Sequence, residues 1–66
     1  MTVTITIECD NAAFEHPGPE LERILKRLAD HVGTTGIWQT DDLVVLDGYT
    51  PRDINGNHVG SVKVSE

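Results

Sequence analysis

The chain has 66 residues, with eleven Asp and Glu against five Lys and Arg and a formal net charge of -6. A domain this short buries only about 60% of the surface its unfolded chain exposes, so the core must be thin, and the lone Cys9 excludes both an internal disulfide and a CxxC-type zinc framework. The acidic balance opposes affinity for nucleic acid or anionic membrane, no apolar run approaches the roughly 18 residues of a membrane span, and no basic leader precedes Thr2, so the sequence reads as one soluble, cytoplasmic, unsecreted domain.

Thr2 to Cys9 alternates strictly, with Val3, Ile5, Ile7 and Cys9 on one face and Thr2, Thr4, Thr6 and Glu8 on the other. That period predicts a half-buried strand. Asp10, Asn11 and Pro17-Gly18-Pro19 interrupt it, leaving Phe14 as the apolar anchor of a connecting segment. Pro19 suits the first position of a helix, where Glu20 and Glu22 complement the positive end of the dipole. Leu21, Ile24, Leu25, Leu28 and Val32 then form one apolar stripe, and Gly33 is placed to close the helix in a left-handed conformation. Beyond it, Leu43 to Leu46 reads as a strand, with Ile37 to Thr40 a short strand pairing with it across Asp41-Asp42. Asn55-Gly56 is the dipeptide of a type I′ hairpin turn, and His58 to Val64 is the returning strand. The order strand, helix, strand, strand predicts an α+β fold, a single helix packed on a small, mainly antiparallel sheet of three or four strands. Placing the last strand between the first and the middle one keeps every neighbour antiparallel.

Catalytic and metal chemistry find little support in this pattern. His16 precedes a proline turn, His31 falls in the last helical turn, and His58 follows the hairpin, where it can face Asp53; their spacing brings no ligand set together. Asp53-Ile54-Asn55-Gly56-Asn57 resembles a calcium loop only superficially, because His58 stands where that loop needs glycine and no glutamate closes it. No glycine-rich phosphate loop or nucleophile motif is present. The expectation is a non-enzyme without cofactor or metal.

The charge distribution is more telling. The first 22 residues carry five acids and no base. With Glu20 and Glu22 assigned to the helix start, Glu8, Asp10 and Glu15 remain as an unpaired acidic group, and Asp41, Asp42 and Asp47 form a second group near Trp38. Trp38 and Tyr49 lie outside the predicted stripe; the thin core claims them first and an interface second. Asp41, Asp42 and Asp47 also suit the protection of a strand edge against aggregation.

Three stretches together carry a likeness: Asp10-Asn11-Ala12-Ala13-Phe14-Glu15, Arg23-Ile24-Leu25-Lys26-Arg27-Leu28-Ala29-Asp30, and Asp53-Ile54-Asn55-Gly56-Asn57-His58-Val59-Gly60. In order and spacing the chain resembles a group of small phage and prophage proteins of uncharacterised function. The likeness covers about a third of the chain directly, and residues 34 to 52 look like an addition to it. Phage origin implies small acidic proteins that disable host machinery, anti-CRISPR proteins among them, acting in the cytoplasm of an infected bacterium. The expected partner is a host protein with a basic nucleic-acid-binding surface, such as a CRISPR surveillance complex, bound through Glu8, Asp10, Glu15, Trp38, Asp41, Asp42 and Asp47 as a partial DNA mimic. The alternative is a phage structural or regulatory interaction module, and the chain itself is a monomer or weak homodimer. A compact 66-residue chain spans roughly 28 Å. Its six excess charges then average about one per 5 Å, against about one per 1.7 Å in duplex DNA. Mimicry therefore requires the acids to gather on one face.

Overall fold

A computed structural model describes all 66 residues. Strand β1 (Thr2–Ile7) leads into a 3-10 turn (Ala12–Phe14), helix α1 (Pro17–Thr34), a second 3-10 helix (Thr40–Leu46) and strand β2 (Gly60–Ser65). The strands pair antiparallel from Thr2 opposite Ser65 to Ile7 opposite Gly60, which puts Val3 beside Val64 and Ile5 beside Val62 on one face. The fold is therefore α+β, but its regular sheet has two strands rather than three or four.

Leu43 to Leu46 is helical, not extended. Residues three apart eclipse in a 3-10 helix, so Leu43 and Leu46 turn together into the core while Val44 and Val45 face solvent. A strand would have separated Leu43 from Val44 and left one leucine outside. The segment that does lie along the second edge of β2 is Gly48 to Arg52. Gly48 N–H donates to the Val62 carbonyl (3.0 Å), Val62 N–H to that of Tyr49 (2.9 Å) and Val59 N–H to that of Pro51 (3.0 Å). Pro51 offers an acceptor but no donor, and the pairing shrinks to an isolated bridge between Arg52 and His58. His58 thus stands opposite Arg52, not Asp53. Asn55 has no positive φ, so the hairpin is not a type I′ turn; Gly56, at φ 86°, is the left-handed residue, and its N–H closes the turn on the Asp53 carbonyl.

Helix α1 begins at Pro17, two residues before Pro19, and both prolines occupy the first turn, where no donor is missed. Gly33 stays helical. The chain leaves the helix at Thr35, and Gly36 (φ 73°) takes the left-handed position. The buried row of the helix is Glu20, Ile24 and Leu28, whereas Leu25 and Val32 of the predicted stripe are exposed. The helix has rolled toward the Gly48–Arg52 side, where His31 stacks on Tyr49 with centroids 4.5 Å apart, and away from β1. In consequence β1 is half-buried only at Ile7; Ile5 is 46% exposed.

The core is two small clusters. Phe14, Ile24 and Val59 form one, and Leu28, Leu46 and Val62 the other. Extents of 38 × 21 × 17 Å and a radius of gyration of 12.5 Å make the molecule longer than the roughly 11 Å radius of a compact chain of this size.

Two carboxylates are buried beside the first cluster. Glu20 Oε1 accepts from Arg23 Nε (2.6 Å) and Oε2 from Ile54 N–H (2.9 Å). Asp53 accepts four bonds: Asn55 N–H and Asn57 N–H on Oδ1 (both 2.9 Å), and Asn11 Nδ2 (2.8 Å) and Asn57 Nδ2 (3.2 Å) on Oδ2. The hydrogen bond from Arg23 holds the Glu20 carboxyl below its ordinary 4.5, against the upward push of burial. For Asp53 burial pushes upward, but the donors from Asn57, Asn11 and Asn55 together outweigh it and hold the group below 3.8. Groups whose folded pKa is depressed contribute stability that is full above the unfolded value and is lost as pH falls through the folded one. The melting temperature is therefore expected to lose the contribution of these two groups below about pH 4.5, and circular dichroism melts of Glu20→Gln and wild type at pH 7, 4 and 3 check it. The variant's disadvantage at pH 7 shrinks as the pH falls.

Candidate protein interface

The residues entering the second 3-10 helix include the most exposed large apolar side chain of the molecule, Trp38. Gly36 turns the chain out of α1, and Ile37 packs against the Leu28–Leu46–Val62 cluster. With Ile37 occupying the core position, its neighbour Trp38 is directed outward and is 90% exposed. The backbone beneath it is fixed. Asp42 Oδ2 accepts from both Trp38 N–H and Gln39 N–H at 3.1 Å, the carboxylate half of a capping box with Gln39, and Asp42 N–H donates to the Gln39 carbonyl at 3.0 Å. Val44 and Val45, 55% and 52% exposed, lie on the short helix that follows. With its backbone already bonded, the Trp38 ring has only two side-chain torsions left to order on docking, which keeps the cost low for an interface anchor.

The acids are divided. Glu8, Asp10 and Glu15 are exposed in the connection between β1 and α1; Glu8 N–H bonds to Val59, and Glu15 closes the first 3-10 turn on Ala12. Asp41, Asp42 and Asp47 belong to the second 3-10 helix and its exit, beyond the other end of α1. The first group precedes the start of α1 and the second follows its end, and the 18 residues of that helix span about 27 Å, so the chain sets the two groups apart along α1. Within the second group, Asp42 is committed to its cap and Asp47 Oδ1 accepts from Val64 N–H at 2.9 Å. Asp41 is exposed and makes no hydrogen bond in the chain. The Trp38 face thus has one unencumbered carboxylate, two engaged ones and no base between residues 34 and 51.

Other chemistry-bearing residues are dispersed. No three His, Cys, Asp or Glu side chains are arranged to hold a metal ion. No helix is long and apolar enough to cross a membrane. Sequence reasoning passed over Asp53 as a structural hub, although the signal was present, since Asp followed by Asn-Gly-Asn readily bonds its own downstream backbone. It also missed that Arg52 joins Arg23 and Arg27, which share a helix face at i, i+4, beside the Gly48–Arg52 segment. No protein-family model, curated protein or solved structure matches the chain.

Proposed function

We propose that the chain is a small acidic inhibitor of phage type that docks on a host defence protein through the Trp38 face, covering a basic surface of the kind that holds nucleic acid. The observation that carries the reading is Trp38 itself: a 66-residue chain with one tryptophan leaves it 90% exposed, with its backbone N–H bonded to the Asp42 carboxylate. Burial of an aromatic anchor in a partner's pocket is worth far more than its exposure in the free protein. Asp41, with Asp42 and Asp47 behind it, favours a partner with a basic rim. With Glu8, Asp10 and Glu15 separated from it along the chain by the whole of α1, the acidic rim at Asp41 is short, and the apolar anchor supplies most of the affinity.

Affinity capture from a bacterial lysate with wild-type bait and with Trp38→Ala bait tests the reading. The expected result is a specific protein retained by the wild type and released by the variant, with affinity lowered about 30-fold or more, the effect of losing a hot spot of roughly 2 kcal/mol. The variant's melting temperature is expected to stay within a few degrees of wild type, because the side chain it removes touches little of its own protein. Equal retention by both baits would refute the assignment.

The alternative reading, a phage structural or regulatory module that assembles with itself, is favoured by the outer edge of β1. Val62 and Val59 spend their own backbone groups on Gly48, Tyr49, Pro51 and Glu8, so the β1–β2 ladder uses the even-numbered residues of β1. The backbone groups of Val3 and Ile5 then face outward unpaired, and β1 carries no charge, proline or bulge to protect them. Sedimentation separates the two readings: association at micromolar concentration supports the module, a monomer the inhibitor.

A further inference from the structure

The chain has five basic residues, and three of them, Arg23, Arg27 and Arg52, line a single groove of about 690 Å³ between α1 and the Gly48–Arg52 segment. On a protein of net charge -6 that concentration requires an account. Arg23 is structural, with Nε on Glu20 and Nη2 on the Arg52 carbonyl at 2.9 Å. Lys26, outside the groove, pairs with Glu22. The guanidinium groups of Arg27 and Arg52 make no ion pair, although eleven acids are available.

The backbone adds donors of the same kind. Tyr49 and Pro51 turn their carbonyls to Val62 and Val59 of the returning chain. Alternate residues of an extended segment point to opposite edges, so Thr50 and Arg52 face away from β2, toward Arg23, as the bond to the Arg52 carbonyl confirms. The N–H groups of Thr50 and Arg52 have no partner in the chain. The one carboxylate in the groove wall, Asp53, is saturated by its four donors, and Glu20 beside it by two. What faces the groove is thus a set of unspent donors, two of them charged, over a floor of Ile24, Pro51 and the Tyr49 ring held by its stack on His31.

We propose that this groove binds a small oxyanion ligand, a phosphomonoester or a polycarboxylate, held by the Arg27 and Arg52 guanidinium groups and the N–H groups of Thr50 and Arg52. Guanidinium forks match both oxyanions in geometry and charge. The volume suits a ligand of nucleotide size. The acidity of the rest of the molecule selects against long polyanions, whose charges would extend beyond the groove onto a repelling surface. This site is independent of the Trp38 face and stands or falls apart from it.

The test is a titration of the full ¹⁵N-labelled chain with AMP and, separately, with citrate, against sodium chloride at matched ionic strength. The expected result is saturable shifts in the Thr50 and Arg52 amides and in the Nε–Hε signals of Arg27 and Arg52. Affinity is expected to fall about tenfold or more in both Arg27→Gln and Arg52→Gln, as for the loss of a charge-assisted hydrogen bond, and to be unchanged in Lys26→Gln. Saturation by AMP identifies a phosphomonoester site, saturation by citrate a polycarboxylate site, and saturation by both a site that reads the oxyanion alone. Shifts that stay linear with both probes, that centre on Lys26 and Lys63, or that persist with equal affinity in Arg27→Gln and Arg52→Gln would overturn the proposal. Neither arginine side chain has a bond within the fold to lose, and melting curves of the two variants verify that the fold is kept.

Discussion

Replacement of Gly60 by alanine is expected to leave the chain largely unfolded at 25 °C, read as loss of the cooperative thermal transition and of amide dispersion. Gly60 opens β2 opposite Ile7, and a Cβ there would fall on the Thr6 carbonyl oxygen, with the Thr6 carbonyl carbon at 2.9 Å and the Ile7 Cα at 3.1 Å. All three are backbone atoms, so no side-chain rotation relieves the overlap, and the strands must separate at the point where Glu8 N–H meets the Val59 carbonyl at 2.7 Å. Glycine within a strand commonly marks such a close backbone approach. A 66-residue domain has a total stability of roughly 3–10 kcal/mol, and a clash that parts the only regular strand pair falls in the exceptional class of about 4 kcal/mol or more. Gly33→Ala supplies the contrast. Gly33 is helical and its Cβ would meet nothing within 4 Å, so that substitution is expected to stabilise the chain by about 0.4–1 kcal/mol. A folded Gly60→Ala protein with wild-type melting would refute the close approach.

The same residue shows why sequence legibility stops where it does. β1, α1 and β2 were readable because each follows one period: alternation in Thr2 to Ile7 and Gly60 to Ser65, helical spacing through Leu21, Ile24 and Leu28. Leu43-Val44-Val45-Leu46 fits a buried strand or a helical turn equally well, and what decides between them is tertiary. The Gln39–Asp42 capping box starts a helix, and Leu46 finds Leu28 and Val62 at the three-residue spacing that only a helix provides. Likewise nothing local says whether Trp38 or Ile37 takes the core position; the smaller β-branched residue fills it and the larger ring is left outside. The proximity of Gly60 to Thr6 and the approach of Arg52 to the Arg23–Arg27 pair are products of chain crossing, and no window of sequence contains them.

Residues 10–15, 23–30 and 53–60 are, in the folded chain, the parts that hold each other. Asn11, from the first, bonds its own Ala13 N–H and reaches Asp53 in the third. Arg23, from the helix, spans to the Arg52 carbonyl beside the third. Phe14, Ile24 and Val59, one from each, make the first core cluster. Their spacing is thus explained by packing alone. Trp38, Asp41, Asp42 and Asp47 lie in residues 34 to 52, outside those stretches, and none of them makes a hydrogen bond to residues 10–15, 23–30 or 53–60.

Asp53→Ala is the most severe test of that scaffold short of a backbone clash. The substitution removes the acceptor of four hydrogen bonds at once and leaves Asn55 N–H, Asn57 N–H and the amides of Asn11 and Asn57 without their partner. Water can reach the hairpin donors once the loop opens, but only if the turn that closes Gly56 N–H on the Asp53 carbonyl relaxes and the Asn11 connection detaches. The expected result is a melting temperature lower by roughly 10 °C or more at pH 7, given the steep dependence of melting temperature on stability in so small a domain. The deficit is expected to narrow toward pH 3, because protonation of wild-type Asp53 progressively removes the same charge-assisted acceptor. Asn11→Ala combined with Asp53→Ala is expected to cost less than the two single changes together, since both break the one bond that joins the first connection to the hairpin. Additive losses, or an Asp53→Ala deficit independent of pH, would mean that the carboxylate is a bystander and that the loop is held by Val59 and Phe14 alone.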